Sequence, residues 1–202
     1  MSYVYTVLAS IADPDAFGKA GQEWAGERLG TLGATSSNAS QIVMGGEMSG
    51  LCIVAFEFDT VDAAMAAQSK IYQDADLVAL MRDTQVNVQR RNLFRVQAER
   101  GSRDGKFGSV LYMSGMPQDD ATMDRNIDMN WKHISNGANG LTWMTSVASG
   151  PAPFNATVAT WTDSLDSLMS ASAANFADPE VLKVMADTNA TVLGRLLTRR
   201  LF

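Results

Sequence analysis

The sequence predicts an α+β fold in which two tandem βαββαβ repeats pack sheet to sheet as one intrachain α/β barrel. Two observations carry this expectation: an internal duplication, and the same order of strand and helix signals in both halves. At an offset of 104, Asp59 matches Asp163, Met65 matches Met169, Asp74 matches Asp178, and Asp83-Thr84 matches Asp187-Thr188. Arg91, Leu93 and Arg95 likewise match Arg195, Leu197 and Arg199, and the register holds without a gap from residue 54 to 95. That stretch has 14 identities in 42 positions. Nearer the start the offset drifts to 107, where Trp24, Gly30 and Gly33 match Trp131, Gly137 and Gly140. Residues 1–98 form the first repeat and 107–202 the second; the polar, glycine-containing stretch 99–106 is read as a linker.

Each element follows from local chemistry. Residues 3–10 and 108–114 are rich in β-branched and aromatic side chains and read as strands. Asp13-Pro14 supplies a cap and a first-turn proline, and Phe17, Ala20, Gly21 and Trp24 follow at helical spacing until Gly30 and Gly33. The matching helix carries Met123, Ile127, Trp131 and Ile134 on one face. Hairpins follow: 41–46 with 51–58, and 141–148 with 157–161. Second helices open at Asp59-Thr60 and Asp163-Ser164, with Val61, Met65 and Gln68, or Leu165, Leu168 and Met169, facing inward. Both break and restart, at Asp74 and at Asp178-Pro179-Glu180. Final strands run over 85–96 and 191–200.

Composition excludes several function classes. A single cysteine, Cys52, makes no internal disulfide, and the lone histidine, His133, leaves too few ligands for an ordinary zinc, copper or non-haem iron site. A formal charge of −6 gives no footprint for nucleic acid or an anionic membrane surface. With no basic n-region or long apolar run near the start, a cytoplasmic protein is expected. There is no dinucleotide or Walker glycine loop and no nucleophile elbow.

The order β-α-β-β-α-β is the ferredoxin-like arrangement. With the duplication and the broken second helix, it resembles the dimeric α/β-barrel superfamily in tandem form: antibiotic-biosynthesis monooxygenases, NIPSNAP-type proteins and stress-responsive barrel proteins. The resemblance implies a small apolar or aromatic ligand held in a pocket of the second repeat, with cofactor-free, monooxygenase-like or isomerase-like chemistry. The alternative it implies is a noncatalytic stress-response or assembly barrel acting through a homo-oligomer interface. Haem-degrading relatives carry their histidine on the second helix, where this chain has none, so no cofactor is expected, haem included.

The candidate ligand residues are Tyr112, Asn130, Trp131, His133, Trp143 and Arg195. Tyr112, Asn130, Trp143 and Arg195 are the types that hold an oxidisable aromatic. Trp131 also reads as core, paired with Trp24, and His133 as a partly exposed surface residue or a proton carrier. Strand alternation places Asn87, Gln89, Arg91 and Arg95 on one side, which reads either as a solvated edge bridging the halves or as an anion site. Cys52, inside Leu51-Cys52-Ile53-Val54, reads as a buried, inert thiol.

Overall fold

The structure, a computed structural model, describes residues 2–202. The first repeat contains β1 (Tyr3–Ser10), α1 (Pro14–Ala20), a π turn (Gly21–Ala25), α2 (Gly26–Thr31), β2 (Ser36–Met44), β3 (Cys52–Phe58), α3 (Val61–Ile71), α4 (Ala75–Asp83) and β4 (Asn87–Gly101). The second contains β5 (Phe107–Ser114), α5 (Asp120–Ile134), β6 (Gly140–Ala148), β7 (Ala156–Thr162), α6 (Leu165–Ala177), α7 (Pro179–Asp187) and β8 (Thr191–Arg200). The eight strands form a closed barrel in the order β1-β3-β2-β8-β5-β7-β6-β4. Within it, β4-β1-β3-β2 and β8-β5-β7-β6 repeat one order, as duplication of a single ferredoxin-like unit requires.

The helix starts obey the capping chemistry. Asp13, Thr60, Asp74, Asp119, Ser164 and Asp178 each accept a backbone N–H of the following turn. Prolines occupy the first turns of α1 and α7, where no N–H is needed. Both repeats enter their last strand through a non-glycine residue at positive φ, Gln85 at 54° and its repeat equivalent Asn189 at 51°.

Several expectations shift by a residue or a face. The first helix is interrupted by the π turn, and β2 starts at Ser36 rather than residue 41 because Ser36, Ser37 and Asn38 pair with Glu57, Phe56 and Ala55. The inward positions of α3 are Ala64 and Ala67, small enough to let the helix approach the sheet, whereas Met65 is 60% exposed. Finally, β4 runs to Gly101, five residues past the expected end.

A register shift corrects the arginine row. Val7 pairs with Arg91 and Tyr3 with Arg95, but the shift between Leu8 and Ala9 sets Ala9 opposite Val88 and Ser10 opposite Asn87. The extra residue, Gln89, has no partner of its own, so Asn87 lies on the opposite face from Arg91 and Arg95.

The chain divides into two compact units that do not stop at the repeat boundary. One comprises the chain to Arg95 with Val147–Gly150 and Arg199–Phe202; the other comprises Val96–Ser146 and Pro151–Thr198. In the first, Phe58, Cys52, Ala39, Leu29 and Phe17 form the core, completed by Leu201 and Phe202 from the chain's end. The Phe202 ring lies 6.1 Å from Phe17, and Gln22 Nε2 donates to the Leu201 carbonyl at 2.7 Å. In the second, Ile127, Leu168, Met123, Met113 and Ile134 form the core with Ala98 from the extended β4. Arg100, next along β4, ties that extension to α5 through Asp128 at 2.7 Å and Asp124 at 2.8 Å.

Candidate functional site

The second unit gathers most of the candidate residues in the layer between α5, α6 and the sheet. Leu111 and Met113 of β5, Leu141 and Trp143 of β6, and Ala156 and Val158 of β7 face this layer, as alternation along each strand requires. Trp131 packs against the same cluster. Its indole edge also bears on Gly101, which has no Cβ to obstruct it. Tyr112, one residue from Leu111, lies on the opposite face of β5, where its ring packs at a tilt against Phe154 with centroids 4.6 Å apart. It is therefore not brought together with the others.

One row of α6 residues organises the polar members. Met169, Ser172, Asn175 and Asp178 follow at intervals of three, so each neighbours the next in a row that winds around the helix to its end. Arg195 of β8 donates from Nη2 to Ser172 Oγ at 2.6 Å and from Nη1 to Met169 Sδ at 2.9 Å. Asn175 Nδ2 donates to Asn130 Oδ1 at 2.9 Å, and Asn130 Nδ2 donates to the Asn126 carbonyl at 2.7 Å. His133 Nε2 pairs with Asp178 Oδ2 at 2.7 Å. Ser172 and Asn175 were not among the residues the sequence pointed to. Their signal was present: two polar residues in an apolar stripe that runs Leu165, Leu168, Met169.

The His133 contact has an architectural counterpart. In the first repeat the matching aspartate, Asp74, caps α4 with one oxygen and takes Arg28 Nε on the other at 2.6 Å. Asp178 does the same, capping α7 through the Glu180 N–H at 2.7 Å while holding His133. The hydrogen bond from His133 and that N–H hold the Asp178 carboxyl below the ordinary carboxylate value. The backbone bond at Leu77, together with Arg28, does so for Asp74.

The electrostatics of Arg195 are unlike those of a surface arginine. It is half-buried, it has no carboxylate partner among the described residues, and burial lowers its pKa. Two further polar atoms in the same unit are buried without partners, the Trp143 Nε1 donor and the Asn175 Oδ1 acceptor. Elsewhere, Cys52 is fully buried and burial pushes its thiol up to about 11, which makes it a poor nucleophile. Trp161 carries Arg103 over its ring at 6.0 Å. A groove of about 470 Å³ along the outer face of α6, lined by Asn136, Asp166, Ser167 and Ser170, contains none of the candidate residues. Among the described residues no three His, Cys, Asp or Glu side chains gather as metal ligands, and no helix is long and apolar enough to cross a membrane.

Solved structures share this fold over nearly the whole chain. A proposed monooxygenase from Fusobacterium nucleatum has 10% identity and a TM-score of 0.59, covering 100% of this chain and 93% of its own. The chlorite dismutase of Candidatus Nitrospira defluvii has 10% identity and a TM-score of 0.58, covering 98% and 90%. A heme-binding protein from Thermus thermophilus has 11% identity and a TM-score of 0.59, again covering 98% and 90%. No protein-family model and no curated protein sequence matches the chain. At these identities the similarity establishes the fold alone: the chain is a closed barrel of two tandem ferredoxin-like repeats, as these proteins are. The expectation that haem has no place here is overturned, because a heme-binding protein is built on this same fold over its length.

Proposed function

We propose that the chain binds a small aromatic molecule in the helix–sheet layer of its second repeat and acts on it in the manner of a monooxygenase, with Arg195 as the polar pole. The observation that carries this reading is the half-buried guanidinium with no carboxylate beside it. An unpaired buried cation is costly, and its planar fork matches a carboxylate, phenolate or enolate oxygen. Trp143 Nε1 and Asn175 Oδ1, buried without partners among the described residues of the same unit, are a further donor and acceptor for a ligand that reaches them. Ser172 and Met169 hold the guanidinium in position. A fixed, half-buried cation favours the anionic form of a phenol or enol, which is the form that donates an electron to dioxygen.

Titration with phenolic aromatic acids and polycyclic phenols, followed by tryptophan fluorescence and thermal shift, tests the reading. Saturable binding is expected, with Kd raised about tenfold or more in Arg195→Met, and oxygen uptake with the ligand that is turned over. Silence across the panel, or unchanged affinity in Arg195→Met, would sink it.

A second reading is haem binding, favoured by the His133–Asp178 pair. A carboxylate on one ring nitrogen orients an imidazole for iron, and among the described residues Nδ1 has no partner. His133 would hold the iron of the group and Asp178 would position the imidazole; the group, when bound, would supply redox chemistry. Because Arg28 makes the equivalent contact with Asp74, a structural role alone explains the pair, and the deciding readout is spectral. Hemin is expected to give a shifted Soret band in the wild type that is lost in His133→Ala but kept in Arg28→Lys. A spectrum identical in the wild type and His133→Ala removes this reading.

A further inference from the structure

The first repeat holds a cluster that the Arg195 reading leaves unused. Arg91 of β4 donates from Nη2 to the Tyr72 hydroxyl at 2.7 Å, just past the end of α3, and its guanidinium carbon stands 5.7 Å from the centre of that ring. Tyr5 of β1 shares this sheet face, since Tyr5 pairs with Leu93 and Val7 with Arg91. The Tyr5 hydroxyl is buried beside the Arg91 guanidinium and Tyr72, and among the described residues nothing accepts its proton. Burial holds it above the ordinary phenol value, so it stays protonated. Arg91 has no carboxylate partner among the described residues. The cluster therefore has three donor groups and no anion.

We propose that Arg91, Tyr72 and Tyr5 form a binding site for an aromatic carboxylate, separate from the Arg195 layer. Arg91 has five N–H donors, which its contacts with Tyr72 and Tyr5 do not exhaust, and its fork takes two carboxylate oxygens. Tyr72 accepts from Arg91 and keeps its own proton to donate. Tyr5 supplies a donor that is otherwise orphaned, which is the costly half of a broken hydrogen bond. Phe56 stacks on Tyr5 at 5.9 Å and fixes its ring. Arg91 is exposed and the Tyr72 ring is 42% exposed, so the guanidinium can swing aside and the ring can receive a second aromatic face. The site belongs to this repeat alone, because the positions matching Tyr5 and Tyr72 are Ser109 and Phe176.

Benzoate and inorganic phosphate, titrated separately into the full chain, test the assignment through tyrosine difference absorbance and arginine Nε resonances. Benzoate is expected to give a saturable change in the wild type and in Arg195→Met. Its Kd should rise about tenfold in Arg91→Met and severalfold in Tyr72→Phe, with circular dichroism unchanged. Phosphate should bind more weakly than benzoate. An absent benzoate signal, equal affinity in Arg91→Met, or phosphate binding tighter than benzoate would each overturn it. Because Arg195→Met leaves this site intact, its outcome is independent of the second-repeat reading.

Discussion

Gln85 shows how one residue records the duplication in its backbone. It and Asn189 take the left-handed conformation at the same place in their repeats, the turn from the broken second helix into the last strand. Asparagine tolerates that region; a glutamine pays roughly 1–2 kcal/mol for its Cβ. Gln85→Gly is therefore expected to raise unfolding stability by about 0.5–1 kcal/mol, read as a higher denaturation midpoint with an unchanged slope. Nothing in the sequence distinguished Gln85 from an ordinary strand residue, since the conformation is imposed by the chain on either side. Arg195 is the opposite case: its position came from the duplication and its residue type suggested an anion, but only packing shows that it turns toward α6 and not toward a solvated edge.

At the level of elements, periodicity was informative wherever it was unbroken. The strands and capped helices were legible because caps, prolines and alternating apolar residues act locally. What the pattern missed are insertions of a single residue. The register shift beside Gln89 reverses the facing of Asn87, and the π turn at Gly21–Ala25 re-phases the first helix. The offset of 107 over these helices returns to 104 where β2 and β6 begin, at Ser36 and Gly140, so the drift is confined to the first helices and their flanking loops. The π turn lies against the chain's last residue, and a Cβ on Gly21 would run into the Phe202 ring. Gly21→Ala should thus destabilise by about 1–3 kcal/mol despite the better helix propensity of alanine, a sign that chemical denaturation can check. The polar side of α6 escaped the sequence reading for a different reason. Ser172 and Asn175 look like weak spots in an apolar stripe until Asn130 and Arg195 are seen opposite them.

Across the whole molecule, the carboxylates that cap and clamp the helices share one electrostatic direction. Asp74, Asp119, Asp128, Asp163 and Asp178 are all held below their ordinary value of 3.8, chiefly by hydrogen bonds from backbone or side-chain donors. Groups depressed on folding stabilise the native state above the unfolded pKa and lose that contribution as pH falls through the folded one. Stability is expected to hold down to about pH 4 and then fall steeply; a thermal midpoint insensitive to pH between 5 and 2 would contradict this origin.

The membership of Arg199–Phe202 in the first unit bears on the order of events during synthesis. Leu201 and Phe202 complete the core around Phe17, yet they leave the ribosome about a hundred residues after that core's other members. At about 5–20 residues per second, the first-made half waits on the order of ten seconds with its last two wall positions unfilled. Translation speed over the second repeat thereby sets how long an apolar opening beside α1 stays exposed to chaperones.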